Sequence, residues 1–363
     1  SLFDMKKITF VIPSLTGGGA ERVVSILANQ FAETGRYEVR IVLLEDEQVD
    51  YHMDPRIRIS YIRKPSGPRW VHLFYRILKL RNVFRDTDII ISFMWHMNMY
   101  TLFTSLGLGK EVIVSDRNDP RQEVGQIPEF IQTLRKQLYK KADCVVFQTA
   151  DAKAFYGKKV QKHSVIIANP INPELPPANP GQREKTILAA GRLVPQKNME
   201  MAIRGFSKFA HNHPDYVLKI FGDGPLRPKL EELAANLGVS DRVVIRGFTS
   251  HIYDEMAKAG MYISTSDFEG ISNSMLEAMA MGMPSIVTDC PVYGARMFIH
   301  NKENGILIPV GDADSLAHAM ADVADHPAEA EKLARNAVLL RNTLSAEKIL
   351  QQWEAVLKTH GQK

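Results

Sequence analysis

Two cationic residues lie close together in the second half of the chain, where they could bind one anionic ligand. Gly191 and Arg192 follow a short apolar run with the pattern of a buried strand, and Lys197 comes five residues after Arg192. Parallel α/β sheets bind ligands at the carboxyl ends of their strands. A guanidinium and an ammonium together span several oxygens, so the pair suits a diphosphate better than a carboxylate. Two surface charges in a loop would have the same spacing, which leaves a structural interpretation open.

A second stretch, residues 267–277, combines small polar residues with the start of an apolar helix. The first turn of a helix has free amides and a partial positive charge, so the amides near Ser274 and Met275 are candidates for binding phosphate. Ser274 and Glu277 also have the spacing of a capping box, which gives Glu277 a structural alternative. Glu269 has no such alternative, and its carboxylate is better suited to binding hydroxyl groups.

Two glycine turns end neighbouring strand patterns. Gly222 and Gly224 flank Asp223 in the first turn, and we interpret both glycines as requirements of the backbone. Gly247 and Phe248 end the next strand, where a backbone group or an aromatic ring would contact a nucleotide base.

Short apolar runs alternate with helical patterns through both halves of the chain. The first series opens with a strand, a glycine loop and a helix over residues 6–31, and the second opens with a strand over 186–190. This alternation predicts an α/β fold with doubly wound parallel sheets. Five prolines between 170 and 180 disfavour a helix and predict a linker. The expected divisions are a first domain over 1–170, a linker over 171–182 and a second domain over 183–345.

The composition is that of a folded globular protein of about two domains. The 363 residues are 45% hydrophobic and 24% charged, which argues against a disordered, collagen-like or coiled-coil chain. Cys144 and Cys290 offer neither a disulfide framework nor zinc-ligand spacing, and they suit a reducing compartment. We find no apolar run long enough to cross a membrane and no signal-peptide pattern, so we expect a cytoplasmic protein.

One segment of the first half is strongly basic. Residues 55–85 contain nine basic side chains and no acidic one, in an amphipathic pattern. We expect this segment to hold the protein peripherally on the anionic cytoplasmic membrane, and a solvated helix face is the alternative. Nucleic acid is disfavoured as a partner, because no recognition motif accompanies the charge. The basic residues assigned to the membrane are Arg76, Lys79, Arg81 and Arg85.

Taken together, these motifs resemble those of retaining glycosyltransferases of the GT-B fold, specifically family 4 of the sequence classification. The order and spacing of the family recur in the second half, in Gly191-Arg192 with Lys197, the Gly222 turn, Gly247-Phe248, Glu269 with Glu277, and Gly305 before Leu307-Ile308-Pro309. In the first half, Gly17-Gly18-Gly19-Ala20-Glu21-Arg22 is similar to the family's N-terminal loop. The resemblance covers nearly the whole chain and extends to bacterial transferases that assemble polysaccharides and lipid-linked glycans. It implies two Rossmann-like domains facing each other across a cleft, with a final helix, about 346–363, crossing back onto the first domain.

The resemblance also implies roles for the candidate residues around a nucleotide diphosphate sugar. Arg192 and Lys197 would neutralise the diphosphate, with help from the amides near Ser274 and Met275. Glu277 would bind the ribose hydroxyls.

Further implied roles concern the sugar and the acceptor. Glu269 would bind hydroxyls of the donor sugar and stabilise positive charge that develops on its ring. The backbone of Gly18 and Gly19 would approach the β-phosphate and the acceptor from the opposite domain. The remaining candidates between the two carboxylates are Gly270, Ile271, Ser272 and Asn273.

The sequence departs from the family after the fourth apolar run of the first domain. Many relatives have a sugar-contacting His there, whereas this chain has Asp116 and Arg117. Either side chain could contact the donor sugar or the acceptor, and an internal salt bridge is the alternative. His96 ends another strand and is a further candidate, with packing as its alternative role.

We predict that neither a metal nor a resident cofactor is needed. Asp86-Thr87-Asp88 has the spacing of a metal-binding motif, but it precedes a strand and so lies at the wrong end for a ligand. Arg192 and Lys197 can replace a divalent ion as the counter-charge of the diphosphate.

The resemblance implies that the function is retaining transfer of a hexose or N-acetylhexosamine from a UDP-linked donor. The expected acceptor is a saccharide or a polyprenyl-diphosphate-linked saccharide in cell-surface glycan synthesis. A sugar-nucleotide 2-epimerase and a noncatalytic sugar-nucleotide-binding protein remain as alternatives. A nicotinamide-dependent dehydrogenase is disfavoured, because the first glycine loop lacks the form Gly-x-Gly-x-x-Gly.

Overall fold

The computed structural model describes residues 5–179 and 183–360, with side chains described to residue 357. The chain divides into two compact units, one formed by the segments 1–170 and 346–363 and the other by 171–345. The predicted linker falls partly outside the described residues, at 180–182. Its described part belongs to the second unit, because Ile171 N donates to Leu344 O at 2.8 Å and Asn179 N donates to Met281 O at 3.2 Å.

The first unit contains a parallel sheet of seven strands in the order β3-β2-β1-β4-β5-β6-β7. Its strands are β1 (Lys6–Ile12), β2 (Tyr37–Leu43), β3 (Arg58–Tyr61), β4 (Ile89–Phe93), β5 (Glu111–Ser115), β6 (Cys144–Phe147) and β7 (Ser164–Ile166). Its helices are α1 (Gly19–Glu33), α2 (Arg69–Arg85), α3 (Trp95–Thr104), α4 (Glu129–Tyr139), α5 (Ala150–Ala154) and α6 (Lys158–Lys162). All five residues of β4 are buried, as expected where helices cover both faces of a parallel sheet.

The second unit contains a parallel sheet of six strands in the order β10-β9-β8-β11-β12-β13. Its strands are β8 (Glu184–Ala190), β9 (Val217–Phe221), β10 (Val243–Gly247), β11 (Ala259–Ser264), β12 (Ser285–Thr288) and β13 (Ile306–Ile308). Its α-helices are α7 (Met199–Ala210), α8 (Arg227–Asn236), α9 (Ile252–Lys258), α10 (Asn273–Ala280), α11 (Ala313–Asp325), α12 (Pro327–Ala337) and α13 (Leu340–Thr343). Both sheets therefore have the predicted α/β, Rossmann-like form.

Each sheet has one point where the strand order reverses. In the first sheet β1 lies between β2 and β4, and in the second β8 lies between β9 and β11. The connections on the two sides of such a point run to opposite faces of the sheet. They leave a crevice at the carboxyl ends of the strands, where doubly wound folds bind ligands.

The last helix, α14 (Ala346–His360), packs on the first unit. Trp353 is 1% exposed, and its ring stacks on Phe93 at the end of β4 with 5.7 Å between the ring centroids. Glu354 pairs with Arg36 at 2.5 Å and accepts a hydrogen bond from the Tyr37 hydroxyl at 3.1 Å. A search of the described residues finds no helix of the length and apolar character that a membrane span requires.

Candidate functional site

The crevice of the second sheet is shaped by glycines at the ends of three neighbouring strands. Gly191 N donates to Phe221 O at 2.9 Å, and Gly222 N donates to Gly247 O at 2.9 Å, so the three turns lie against one another. Gly222 has φ +147°, and a Cβ there would lie 1.8 Å from Gly191 O. The interpretation of Gly222 as a backbone requirement is confirmed.

Gly224 is also required by the backbone, because a Cβ there would clash with a different residue. A Cβ at this position would lie 2.6 Å from Leu193 O. The loop after β9 is therefore pressed against the loop after β8, and together they position Arg192 and the residues that follow it.

We expect Gly222→Ala to destabilise the second unit by about 3 kcal/mol, the upper range for overpacking a tight site. It is also expected to weaken nucleotide binding, because Gly191 and its loop must move. Gly238→Ala is the control, since Gly238 has φ +71° but no heavy atom within 4 Å of its added Cβ. Urea unfolding followed by circular dichroism, with UDP titration of each variant, provides the test. Equal UDP affinity in the two variants would refute the positioning role.

Lys197 and Glu269, which are far apart in sequence, meet in this crevice. Lys197 Nζ lies 2.5 Å from Glu269 Oε2, and the Ser266 hydroxyl donates to the same oxygen at 3.1 Å. About one fifth of each charged side chain is exposed. The two groups lie after β8 and β11, the two strands that flank the reversal of strand order.

Backbone contacts hold this pair in place. Lys197 ends a 3-10 turn, Pro195–Lys197, and Gln196 Nε2 donates to Phe268 O at 3.0 Å. Asp267 N donates back to Gln196 O at 2.9 Å. Glu269 N donates to Pro291 O at 2.7 Å, which ties the carboxylate loop to the segment after β12. The ion pair is therefore set by two loops that are locked to each other.

A small cavity of about 60 Å³ adjoins the ion pair. Among the residues lining it are Gly191, Lys197, Glu269, Ser272 and Ser274. The structure thus brings together five of the residues singled out from the sequence, at one edge of the sheet.

Arg192 comes two residues after β8, and it is more exposed than Lys197. Its side chain is exposed and makes no hydrogen bond or ion pair with any residue that the structure describes. An unpaired guanidinium at a strand end is available to a ligand oxyanion.

The N-terminus of α10 corrects one prediction. The cap is Ser272, whose hydroxyl accepts from Met275 N at 3.3 Å, and the helix starts at Asn273. Ser274 is therefore inside the first turn, and the expected capping box of Ser274 with Glu277 is wrong. The Met275 amide is already bonded, which leaves Ser274 as the amide that we keep for phosphate. Glu277 lies one turn into the helix and is 4% exposed.

Phe248, a candidate for binding the nucleotide base, is exposed at the end of a strand. Its ring is 77% exposed directly after β10, and Gly247 before it has φ +74°. Among the residues between the two carboxylates, Ile271 is buried, whereas Gly270 and Asn273 are partly exposed.

In the first unit, the glycine loop after β1 begins α1 at Gly19, with Gly18 as its cap. Glu21 folds back over this cap, so that a Cβ at Gly18 would lie 1.8 Å from Glu21 Oε2. Burial raises the pKa of the Glu21 carboxyl. The Tyr51 hydroxyl donates to Gly18 O at 3.0 Å, which fixes the loop from its other side.

Asp116 is a structural residue, in contrast to its expected contact with substrate. It is 2% exposed, and Arg135 Nη2 lies 2.8 Å from its Oδ2. The hydroxyls of Tyr156 and Tyr139 donate to the same carboxylate at 2.6 and 3.2 Å. The alternative of an internal salt bridge is the correct one for this residue.

The other first-unit candidates lie at strand ends. Arg117 follows β5, and its guanidinium donates to Asn169 Oδ1 at 2.8 Å. His96 Nε2 lies 3.7 Å from Glu45 Oε1, and burial lowers the pKa of the imidazole. Sequence reasoning missed Asn169 and Gln148, although each follows a strand pattern and that position was the available signal.

The basic segment also requires a correction. Arg76 is 8% exposed, with Nη2 donating to Leu44 O at 2.7 Å, so it faces the core rather than a membrane. Arg81 Nη1 donates to Thr104 O and Leu106 O, both at 2.9 Å. Lys79 and Arg85 are exposed, as the prediction requires.

The Asp86-Thr87-Asp88 motif is used within the fold. Lys7 Nζ donates to Asp86 Oδ1 at 2.5 Å, and hydrogen bonds from Lys7 and Arg40 lower the pKa of Asp86 to about 2. Lys7 N donates to Asp88 Oδ2 at 2.8 Å. Across the part of the chain that the structure describes, no group of three or more His, Cys, Asp or Glu side chains is arranged to hold a metal ion.

Comparison with known proteins gives two adjoining family matches. Residues 17–175 match the family described as Glycosyltransferase Family 4, and residues 173–339 match Glycosyl transferases group 1.

Two curated relatives cover nearly the whole chain. An exopolysaccharide phosphotransferase of Streptomyces coelicolor is 27% identical over 96% of this chain, which spans only 40% of that protein. A Campylobacter jejuni protein is 24% identical, with 96% of this chain and 97% of the relative covered. It is named GalNAc-alpha-(1->4)-GalNAc-alpha-(1->3)-diNAcBac-PP-undecaprenol alpha-1,4-N-acetyl-D-galactosaminyltransferase.

Among solved structures, HepE from Anabaena in complex with UDP superposes with a TM-score of 0.82. Its sequence identity is 17%, with 98% of this chain and 100% of HepE covered. At this identity the similarity concerns the fold alone.

Proposed function

Because this chain is a glycosyltransferase of the family 4 type with the GT-B fold, we propose that it transfers a hexosyl or N-acetylhexosaminyl group with retention of configuration. The proposed donor is a UDP-sugar, and the proposed acceptor is a saccharide carried by a polyprenyl diphosphate. The observation that carries the proposal is the Lys197–Glu269 pair in the crevice beside the start of α10.

Cleavage of the donor leaves negative charge on the β-phosphate and positive charge on the sugar ring. Lys197 and the unpaired Arg192 lie at the same strand end, where they compensate the phosphate charge, and the amide of Ser274 adds a dipole. The three groups need little reorganisation, because the loops that carry them are held by backbone hydrogen bonds.

Glu269 supplies the opposite charge, 2.5 Å from Lys197 Nζ. A carboxylate so close to the diphosphate site can bind hydroxyls of the donor sugar and stabilise its cationic ring in the transition state. For retention we propose attack from the face of the departing phosphate, which itself accepts the proton of the acceptor hydroxyl.

We assign the contacts to the nucleotide from the positions of the candidate residues in the second unit. The exposed Phe248 ring is assigned to the base, the Gly247 backbone to the same region, and Glu277 to the ribose hydroxyls. UDP as the nucleotide is supported by the UDP complex of HepE, and a diphosphate-linked lipid acceptor is supported by the name of the Campylobacter relative.

The direct test is mass-spectrometric detection of sugar transfer. The protein is incubated with UDP-, GDP- and ADP-sugars and a bacterial membrane lipid extract. A glycosylated lipid formed from one UDP-sugar supports the proposal. An isomerised donor would indicate a sugar-nucleotide epimerase, and binding without any product would indicate a noncatalytic binding protein.

We further propose that α2 and the end of α3 dock the enzyme on an anionic membrane. The α2 face consists of exposed apolar residues with helical spacing, namely Trp70, Leu73, Phe74 and Leu78. Trp70 is 71% and Phe74 61% exposed. Arg81 bonds to the carbonyls of Thr104 and Leu106, so the exposed Phe103 and Leu106 side chains extend this surface.

The charges around this surface fit a lipid interface. Arg69, Lys79 and Arg85 are exposed on the same helix, and no acidic residue lies between 55 and 85. An apolar face that contains Trp and Phe and is flanked by basic residues is typical of helices that lie at the surface of anionic bilayers.

Trp70→Ser combined with Phe74→Ser is expected to weaken partition to phosphatidylglycerol vesicles at least tenfold, because two aromatic side chains no longer enter the interface. Leu339→Ser is the control, since Leu339 is 65% exposed but belongs to the second unit. Vesicle sedimentation measures both. Unchanged partition of the double variant would contradict the docking surface.

A further inference from the structure

The guanidinium of Arg117 is held in a fixed orientation at the carboxyl end of β5. Its Nη1 donates to Asn169 Oδ1 at 2.8 Å, and its centre lies 4.5 Å from the centroid of the Phe93 ring. With the side-chain amide of Gln148 turned so that its nitrogen donates to Arg117 O at 3.1 Å, its oxygen lies 3.0 Å from the same Nη1. Gln148 and Asn169 are 6% and 3% exposed, so two buried amides position this cation.

The partners of Arg117 orient its charge but do not neutralise it. It forms no ion pair with a carboxylate in the described part of the chain, and its Nε is enclosed without a hydrogen-bond partner. Burial lowers the pKa of Arg117 to about 9, despite the opposing effect of Asp116. Asp116 is the adjacent acid, but its oxygens are bonded to Arg135, Tyr139 and Tyr156.

Arg135, in the same unit, is a purely structural arginine with which Arg117 can be compared. It is 1% exposed and is paired with two carboxylates, Asp116 and Glu123. The guanidinium of Arg117 is contacted by side-chain amides, whereas that of Arg135 is contacted by carboxylates. A partly desolvated guanidinium that is held by neutral groups keeps its electrostatic potential for a ligand.

We propose that Arg117, oriented by Asn169 and Gln148, forms an oxyanion subsite in the first unit that binds a phosphate or carboxylate group of a substrate. The inference deepens the proposed function and rests on it. It implies that a substrate carries an anionic group in addition to the donor diphosphate. This group is either a phosphate of a lipid-linked acceptor or an acid group on a sugar.

Direct binding tests the subsite apart from catalysis. With the donor site saturated by UDP, inorganic pyrophosphate and glucuronate are titrated separately by calorimetry at fixed ionic strength. We expect the anion that represents the true substrate to bind, and Arg117→Gln to weaken it at least tenfold, the loss of a charge-assisted bond. Arg121→Gln is the matched control, because Arg121 lies four residues away and is paired with Asp151 at the surface.

The outcomes separate the two proposals. Absence of UDP binding would refute the proposed function. In that case pyrophosphate and glucuronate are titrated on Lys197→Met, which lacks the donor-site cation, so that the anions are not bound by that cation. Binding of neither anion, or equal binding by Arg117→Gln and wild type, would overturn the proposed subsite. Neither result would contradict the proposed transferase activity.

A kinetic readout distinguishes binding from a structural role. For Arg117→Lys, which keeps the charge, kcat/KM for an anionic acceptor relative to a neutral one is expected to fall less than for Arg117→Gln. A ratio that is unchanged in both variants would also overturn the proposal.

Discussion

Lys197→Met is expected to lower kcat/KM for sugar transfer by about 10²–10³, the effect of removing one preorganised group that stabilises a developing anion. The physical reason is its position, since Nζ is held by two interlocked loops at the carboxyl ends of β8 and β11. Initial rates over a range of donor concentrations measure the effect.

Lys208→Met is the matched control. Lys208 belongs to α7 of the same unit and is also paired with a carboxylate, that of Asp314, but both side chains are mostly exposed. Its activity is expected to remain within a factor of two. Comparable losses in the two variants would show that a general loss of positive charge, and not the site, is responsible.

Glu269→Gln separates the partners of the ion pair. The change removes charge at almost constant volume, so kcat is expected to fall while the affinity for UDP is kept or increased. The increase is expected because Lys197 is no longer bonded to a carboxylate 2.5 Å away. Weaker UDP binding in this variant would contradict the assignment of Glu269 to the sugar rather than to the structure of the loop.

Asp116→Ala is expected to destabilise the first unit by about 3–5 kcal/mol, the cost of breaking a buried ion pair and leaving a charge without its partner. Arg135 is 1% exposed, and in this variant it keeps only Glu123 as a carboxylate partner. The hydroxyls of Tyr139 and Tyr156 lose their acceptor as well.

Tryptophan fluorescence reports this effect selectively. The three tryptophans of the chain, Trp70, Trp95 and Trp353, all belong to the first unit, so urea unfolding followed by fluorescence does not mix in the second. Asp151→Ala is the control and is expected to cost at most about 1 kcal/mol, because its pair with Arg121 is exposed. A stable Asp116→Ala variant that has lost activity would instead restore Asp116 to the substrate site.

The sequence predicted both sheets because their strands are continuous buried runs, as in Ile89–Phe93. It also placed Arg192, Lys197 and Glu269 after strands, since each follows an apolar run. Gln148 and Asn169 lie in the same kind of position and were missed. It did not predict that Lys197 and Glu269 form an ion pair, because that depends on contacts between the loops after β8 and β11.

The errors have the same physical origin. Which side chains of α2 are buried is decided by tertiary contacts such as that of Arg76 with Leu44, whereas charge patterning alone assigned Arg76 to a membrane. Ser272 and Ser274 are both suitable caps, and the backbone places the helix start at Asn273. The sequence does not distinguish Asp116 from a ligand-binding acid, because its partner Arg135 lies nineteen residues further along the chain.

The return of α14 to the first unit has a consequence for biosynthesis. Trp353 covers Phe93, and Glu354 covers Arg36 and Tyr37, so the core of the first unit lacks these contacts until the end of the helix has been synthesised. The second unit, residues 171–345, contains all of its own segments earlier. The contacts between α14 and the first unit can therefore form only after residues 171–345, which make up the second unit, have been translated.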